Sequence, residues 1–184
     1  MNIKPLRQRV LVTRDKKKTE VNGIVLPESH TAEECTGTIL KINPNSDLAK
    51  EGYCAGQRVI FEQQYAGQKL GERETDTILI KDENILSKFR ITPDNKLIVF
   101  PRKDYVFGEY YKRMEEGSII LPNGARNKLY DFHLKITSIP LNYEYSSQVF
   151  AGDIIPLPKS HRPQCKSIMF NGKEYVFVPI KLIL

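Results

Sequence analysis

Gly23-Ile24-Val25-Leu26-Pro27 in the first half of the chain and Ser118-Ile119-Ile120-Leu121-Pro122 in the second are near copies, each standing alone in a polar stretch. Arg14 to Asn22 precedes the first trio and Glu109 to Ser118 the second, and another polar run follows each. Taken singly, a run of branched aliphatic residues reads as a short buried strand. A trio without apolar flanks builds no core of its own, however, and its duplication in the same setting points to a presented binding element.

The repeat also settles domain organisation. A chain of 184 residues could fold as one large domain or as two of about 90. The halves overlay with a shift of about 96, so that Pro5 falls on Pro101, Val10 on Val106, Ala55-Gly56 on Ala151-Gly152 and Val59 on Ile155. With one residue removed in the loop the trios align, and with two added later Ile78-Leu79-Ile80 falls on Val176-Phe177-Val178. Two tandem domains are expected, residues 1–90 and 91–184, with the seam in Ser87 to Asp94 and its turn at Pro93.

Within each half the pattern is strand and turn. Val10-Leu11-Val12, Thr38 to Ile42, Arg58 to Phe61 and Thr77 to Ile80 are short apolar runs rich in β-branched residues. Leu97 to Phe100, Leu134 to Ile139, Asp153 to Leu157 and Tyr175 to Ile180 match them in the second half. Turn formers such as Asn22-Gly23, Ala55-Gly56, Asn123-Gly124, Ala151-Gly152 and Asn171-Gly172 separate the runs. No ordinary helix has an amphipathic period, so the class is all-β, with a small antiparallel barrel or sandwich in each half.

Composition narrows the function. With 40% hydrophobic and 27% charged residues and no apolar run near membrane-spanning length, a soluble protein is expected. The start, Met1-Asn2-Ile3-Lys4-Pro5, has neither signal-peptide nor transit character, so the expected location is cytoplasmic. A net charge of +6 could suit nucleic acid, but the basic residues are scattered apart from Lys16-Lys17-Lys18, and no aromatic-plus-basic strand accompanies them. Cys35, Cys54 and Cys165 form no C-x-x-C pair and read as reduced thiols. His30, His133 and His161 are too far apart for a local ligand pair, so no metal is expected. Phosphate-binding glycine motifs and a nucleophile elbow are missing, and adjacent carboxylates such as Glu33-Glu34 read as solvated. Neither enzymatic activity nor a cofactor is expected.

Several motifs in order carry a family resemblance. Pro5-Leu6-Arg7-Gln8-Arg9-Val10-Leu11-Val12, Gly23-Ile24-Val25-Leu26-Pro27-Glu28-Ser29, Gly37-Thr38-Ile39-Leu40, Ala55-Gly56-Gln57-Arg58-Val59-Ile60-Phe61, Tyr65-Ala66-Gly67 and Ile78-Leu79-Ile80 to Asn84-Ile85-Leu86 resemble the GroES co-chaperonins over about the first 89 residues. Asp104-Tyr105-Val106, Ile119-Ile120-Leu121-Pro122, Ala151-Gly152-Asp153-Ile154-Ile155 and Asn171-Gly172-Lys173-Glu174-Tyr175-Val176 resemble the same pattern in the second half. The tandem layout is similar to the double co-chaperonin of chloroplasts. Departures are Ser118 between glycine and trio, the start Pro101-Arg102-Lys103-Asp104-Tyr105, and a roof segment reduced to Asn43 to Gly52, with Leu141 to Val149 in its place in the second copy.

The resemblance implies two partly open, Greek-key-like β-barrels, each with a long mobile loop whose trio docks on a GroEL-type chaperonin, the partner that carries the ATPase and assists protein folding. On that basis Ile24, Val25 and Leu26 are the chaperonin-binding residues of the first loop and Ile119, Ile120 and Leu121 those of the second, with Gly23, Pro27, Gly117 and Pro122 shaping the loops. The family forms seven-fold lids in which one subunit's first strand meets its neighbour's last. Two linked barrels, expected side by side, tile an even number of places. A homo-oligomer of three or four chains, or a ring mixed with a single-domain co-chaperonin, is therefore expected. Two rivals stand beside the capping role. A GroES-fold interaction or assembly module that no longer caps a chaperonin would keep the barrels; an alcohol-dehydrogenase-like enzyme would need a nucleotide domain for which the chain has neither room nor motif.

Overall fold

A computed structural model of the chain describes residues 4–15, 20–21, 24–25, 35–62, 68–69, 76–111, 132–141, 149–170 and 173–183. Two compact units emerge, Met1–Val99 with Ile168–Asn171, and Phe100–Ser167 with Gly172–Leu184. The architecture is nearly all β, as expected. The strands in chain order are β1 (Arg9–Arg14), β2 (Glu20–Val21), β3 (Ile24–Val25), β4 (Thr36–Ile42), β5 (Arg58–Phe61), β6 (Gln68–Lys69), β7 (Thr77–Lys81), β8 (Ile85–Ile91) and β9 (Leu97–Pro101). They continue with β10 (Tyr105–Tyr111), β11 (Phe132–Ser138), β12 (Ile154–Leu157), β13 (Lys166–Phe170) and β14 (Lys173–Pro179).

A seven-stranded sheet runs β6-β7-β1-β4-β5-β8-β9 and a five-stranded one β12-β11-β10-β14-β13. Among the described residues neither order returns to its starting strand, so each sheet there is an open wall. Alternation with a period of two aims one side of every strand inward. Val10, Val12, Ile39, Val59, Phe61, Ile78, Ile80 and Ile85 form the first core. Val106, Leu134, Ile136, Leu157, Val176 and Val178 form the second.

The two sheets share a plan. Strands β6-β7-β1-β4-β5 correspond in order to β13-β14-β10-β11-β12. Registers agree as well: Val10 faces Ile80 where Val106 faces Val178, and Gly37 faces Val59 where Leu134 faces Ile155. Both sheets shift register at the same place, between Leu11 and Val12 on β1 and between Phe107 and Gly108 on β10. Gly56 (φ 86°) and Gly152 (φ 104°), at matching turns, each give their N–H to an isoleucine carbonyl, Ile39 and Ile136, at 2.8 Å. These agreements favour the duplication read from the sequence.

One packing detail is exchanged between the copies. At Gly37 a methyl group would stand 2.5 Å from the Thr13 carbonyl oxygen and 2.7 Å from Val12 Cγ1. In the second sheet the opposite strand supplies the small residue: a methyl at Gly108 would press on the Lys135 carbonyl and lie 2.9 Å from Leu134 Cδ1. By the repeat, Val12 with Gly37 has become Gly108 with Leu134, large and small having changed sides.

Besides the two-residue strands β2, β3 and β6, three longer strands go beyond the sequence expectation. Tyr105–Tyr111 is broken on paper by Gly108-Glu109, yet the close approach to β11 needs that glycine. Lys166–Phe170 alternates polar and apolar and pairs with β14. Ile85–Ile91 takes up much of the expected seam, its Lys88 and Arg90 disguising a strand in which Ile85, Leu86, Ser87 and Phe89 are buried. A turn at Thr92–Lys96 then leads into β9: the Thr92 N–H donates to the Lys96 carbonyl at 2.9 Å, and Asn95 takes positive φ. Asp94 in this turn is held below its usual pKa, first by a hydrogen bond from the Thr92 side chain and then by Lys96.

The reduced roof segment is a folded element. Ser46 caps a single helical turn, Asp47–Lys50, by accepting from the Ala49 N–H at 3.2 Å. Leu48 in that turn is fully buried, and its N–H reaches the Asp82 carboxylate at 3.3 Å. Lys88 lies over Tyr53 and donates to the Gly52 carbonyl at 2.7 Å. Its equivalent in the second copy, residues 142–148, lies outside the described residues.

Candidate docking site

The first trio is carried between β1 and β4. Ile24–Val25 pair antiparallel with Glu20–Val21, with Val21 facing Ile24 and Glu20 facing Val25. This two-stranded sheet is separate from the seven-stranded one, so the backbone of Ile24 and Val25 is extended without belonging to the core sheet. Gly23, Leu26 and Pro27 lie outside the described residues, as do Gly117, Ile119, Ile120, Leu121 and Pro122 of the second copy.

Where the first loop leaves and rejoins the sheet, polar contacts concentrate. The Arg14 N–H donates to the Asp76 carbonyl at 2.7 Å, and the Asp15 N–H to the Thr36 carbonyl at 3.0 Å. Oδ2 of Asp15 accepts from Arg58 Nη2 at 2.5 Å and from Thr36 Oγ1 at 2.6 Å. The Arg58 guanidinium also lies over the Phe89 ring, 4.4 Å from its centroid. One carboxylate thereby ties the end of β1 to the first residues of β4 and β5. Nothing local in the sequence announces this cluster, because its members come from three strands separated along the chain.

The root of the second loop differs. Tyr111 ends β10 and faces His133 on β11, and Ile154 of β12 faces Lys135. Tyr111 and Ile154 are both exposed. Nearby, Arg162 lies over Tyr110, and Lys173 pairs with Glu109, whose hydrogen bond raises the lysine pKa. Among the described residues no group of His, Cys, Asp and Glu could hold a metal, and no helix is long and apolar enough to cross a membrane. Cys35, Cys54 and Cys165 form no disulfide with one another.

The comparisons point one way. The family model described as Chaperonin 10 Kd subunit matches residues 2–89. The Co-chaperonin GroES of Ruthia magnifica is 33% identical over 93 residues, covering 47% of this chain and 97% of that protein. Its counterpart in Wolinella succinogenes is 34% identical over 88 residues, again 47% of this chain and 96% of the relative. That of Paraburkholderia phytofirmans is 32% identical over 93 residues, with 47% and 96% covered. A whole relative thus fits within half of this chain, and this is not an enzyme family. With the barrel of β1, β4, β5 and β7 and a trio-bearing connection between β1 and β4, the chain belongs to the GroES co-chaperonin family.

Proposed function

We propose that this protein is a two-barrel co-chaperonin that caps a GroEL-type chaperonin in the cytoplasm, docking Ile24-Val25-Leu26 and Ile119-Ile120-Leu121 on it and assisting ATP-dependent folding without chemistry of its own. The observation that carries the reading is the place of the first trio: Ile24 and Val25 are extended yet outside the core sheet, in a family named for this work. Burial of three aliphatic side chains contributes about 1.5 to 3 kcal/mol each, against about 1 to 2 kcal/mol for every backbone residue fixed on docking. A single loop therefore binds weakly, and an oligomer supplies affinity by holding further loops at high effective concentration. Weak single contacts also permit release. The chains form a homo-oligomer, or a ring mixed with a single-domain co-chaperonin, and the two halves of the chain, divided near residue 90 by the repeat with the strand Leu97–Pro101 still in the first sheet, act as the two docking domains.

The test is a pull-down on a GroEL-type chaperonin with nucleotide. Wild type is retained, whereas Val25→Asp and Ile120→Asp each weaken capping with the melting temperature nearly unchanged. A large fall in melting temperature would make the trios core strands. Failure of wild type to bind would leave the chain an interaction or assembly module of the same fold.

A further inference from the structure

We propose that Asp15 is a positioning residue for the first docking loop, and that the roots of the two loops are consequently unequal, the first clamped by its carboxylate and the second offering no such carboxylate at the matching place. The effect of that inequality on binding rests on the docking role proposed above; the clamp itself rests on geometry alone. Residues 16–34 leave the sheet after Asp15 and return just before Thr36, and the Asp15 carboxylate joins those two points to each other and to Arg58 on a third strand. An isolated exposed ion pair contributes little. Here three features raise its value: the pair is part-buried, one oxygen takes both donors, and the guanidinium also lies over the Phe89 ring. A loop whose ends are fixed has fewer conformations to lose on binding, and this gain is preorganisation and not new contact.

The second copy supplies a natural control. By register, Asp15, Thr36 and Arg58 correspond to Tyr111, His133 and Ile154. Tyrosine, histidine and isoleucine cannot form a carboxylate–guanidinium pair. The sequence of the second loop keeps a trio of the same kind, Ile119-Ile120-Leu121, and among the described residues of its root no carboxylate–guanidinium pair stands at the matching place. Near-identical recognition chemistry on unequal roots separates roles: the first loop leads the encounter, and the second adds to it once the chain is bound.

Two variants, Asp15→Asn and Arg58→Met, are compared with their double, and the clamp is grafted on the second root as Tyr111→Asp with His133→Thr and Ile154→Arg. Binding is read against a purified GroEL-type chaperonin with ADP. Backbone hydrogen exchange at Glu20, Val21, Ile24 and Val25 is read in the free protein. Each single change is expected to weaken binding by about three- to tenfold and the double no further, since both remove one interaction. Exchange at the four amides accelerates, the melting temperature stays nearly constant, and the graft tightens binding. Unchanged affinity in both single variants, or independent losses that add and track a falling melting temperature, would overturn the proposal. If wild type does not bind the chaperonin, the docking role falls. Exchange then decides the clamp by itself: faster exchange in Asp15→Asn upholds it and equal rates refute it.

Discussion

Exchanging the large and small residues back in the second barrel should recover most of the stability that either change loses alone. Gly108→Val places its Cβ against the Lys135 carbonyl and 2.9 Å from Leu134 Cδ1, an overpacking that costs about 1 to 3 kcal/mol. Leu134 is fully buried, and Leu134→Gly empties its place at a cost of about 3 to 5 kcal/mol. Were the two independent, the double variant would lose about 4 to 8 kcal/mol, enough to unfold a small domain. It instead rebuilds the arrangement that Val12 and Gly37 hold in the first barrel, where a methyl on Gly37 would meet Val12 Cγ1 at 2.7 Å. The remaining deficit is a methylene, about 1 kcal/mol, and adjustment of the Lys135 backbone. We expect the double variant to sit about 1 to 3 kcal/mol below wild type, which makes the coupling about 3 to 5 kcal/mol, at or above the roughly 3 kcal/mol upper end of what neighbouring residues show. Calorimetry reads this directly, at about 4 to 8 °C per kcal/mol for a domain of this size. Losses that simply add would refute the idea that one slot has changed sides.

The cysteines should separate by reactivity: Cys54 is exposed and alkylates first at pH 8, Cys165 follows slowly, and buried Cys35 reacts only on unfolding. Burial raises the Cys165 pKa, so its contribution to stability is complete below the ordinary thiol pKa and is lost as pH rises through the higher folded value; equal labelling rates for Cys54 and Cys165 at pH 8 would contradict this. Native mass spectrometry should find a closed assembly of three or four chains, or a mixed ring when a single-domain co-chaperonin is added. Seven chains would show that only one barrel of each chain enters the ring.

Legibility varied with how local each signal was. Val10-Leu11-Val12, Arg58 to Phe61 and Thr77 to Ile80 declare themselves because their apolar residues are neighbours in sequence, and all are strands. The overlay of Ile78-Leu79-Ile80 on Val176-Phe177-Val178 matches the observed register. Strand β8 was obscured by Lys88 and Arg90, and β10 by a glycine whose necessity is visible only once Leu134 and Lys135 stand opposite it. The trio residues were legible as a motif, while Asp15, Thr36 and Arg58 were not, since a contact among strand ends leaves no periodic trace.

The hairpin of β8 and β9 bears on how the first barrel can be isolated. Its sheet ends on Leu97–Pro101, beyond the point where the repeat would divide the sequence. A fragment cut after Arg90 would lose the final residue of β8, the Thr92–Lys96 turn and the strand that covers its outer rim, leaving a bare row of backbone donors and acceptors. Bare rims recruit strands from other molecules. Such a fragment should self-associate or precipitate, whereas one ending at Pro101 carries its own cover. The second sheet is guarded differently: Pro156 on its end strand β12 stands where β5 has Ile60, the residue that faces Ser87 of β8, and it has no N–H to offer a newcomer. For recombinant work, the sensible place to part the two halves is therefore set by sheet chemistry and not by the arithmetic of the repeat.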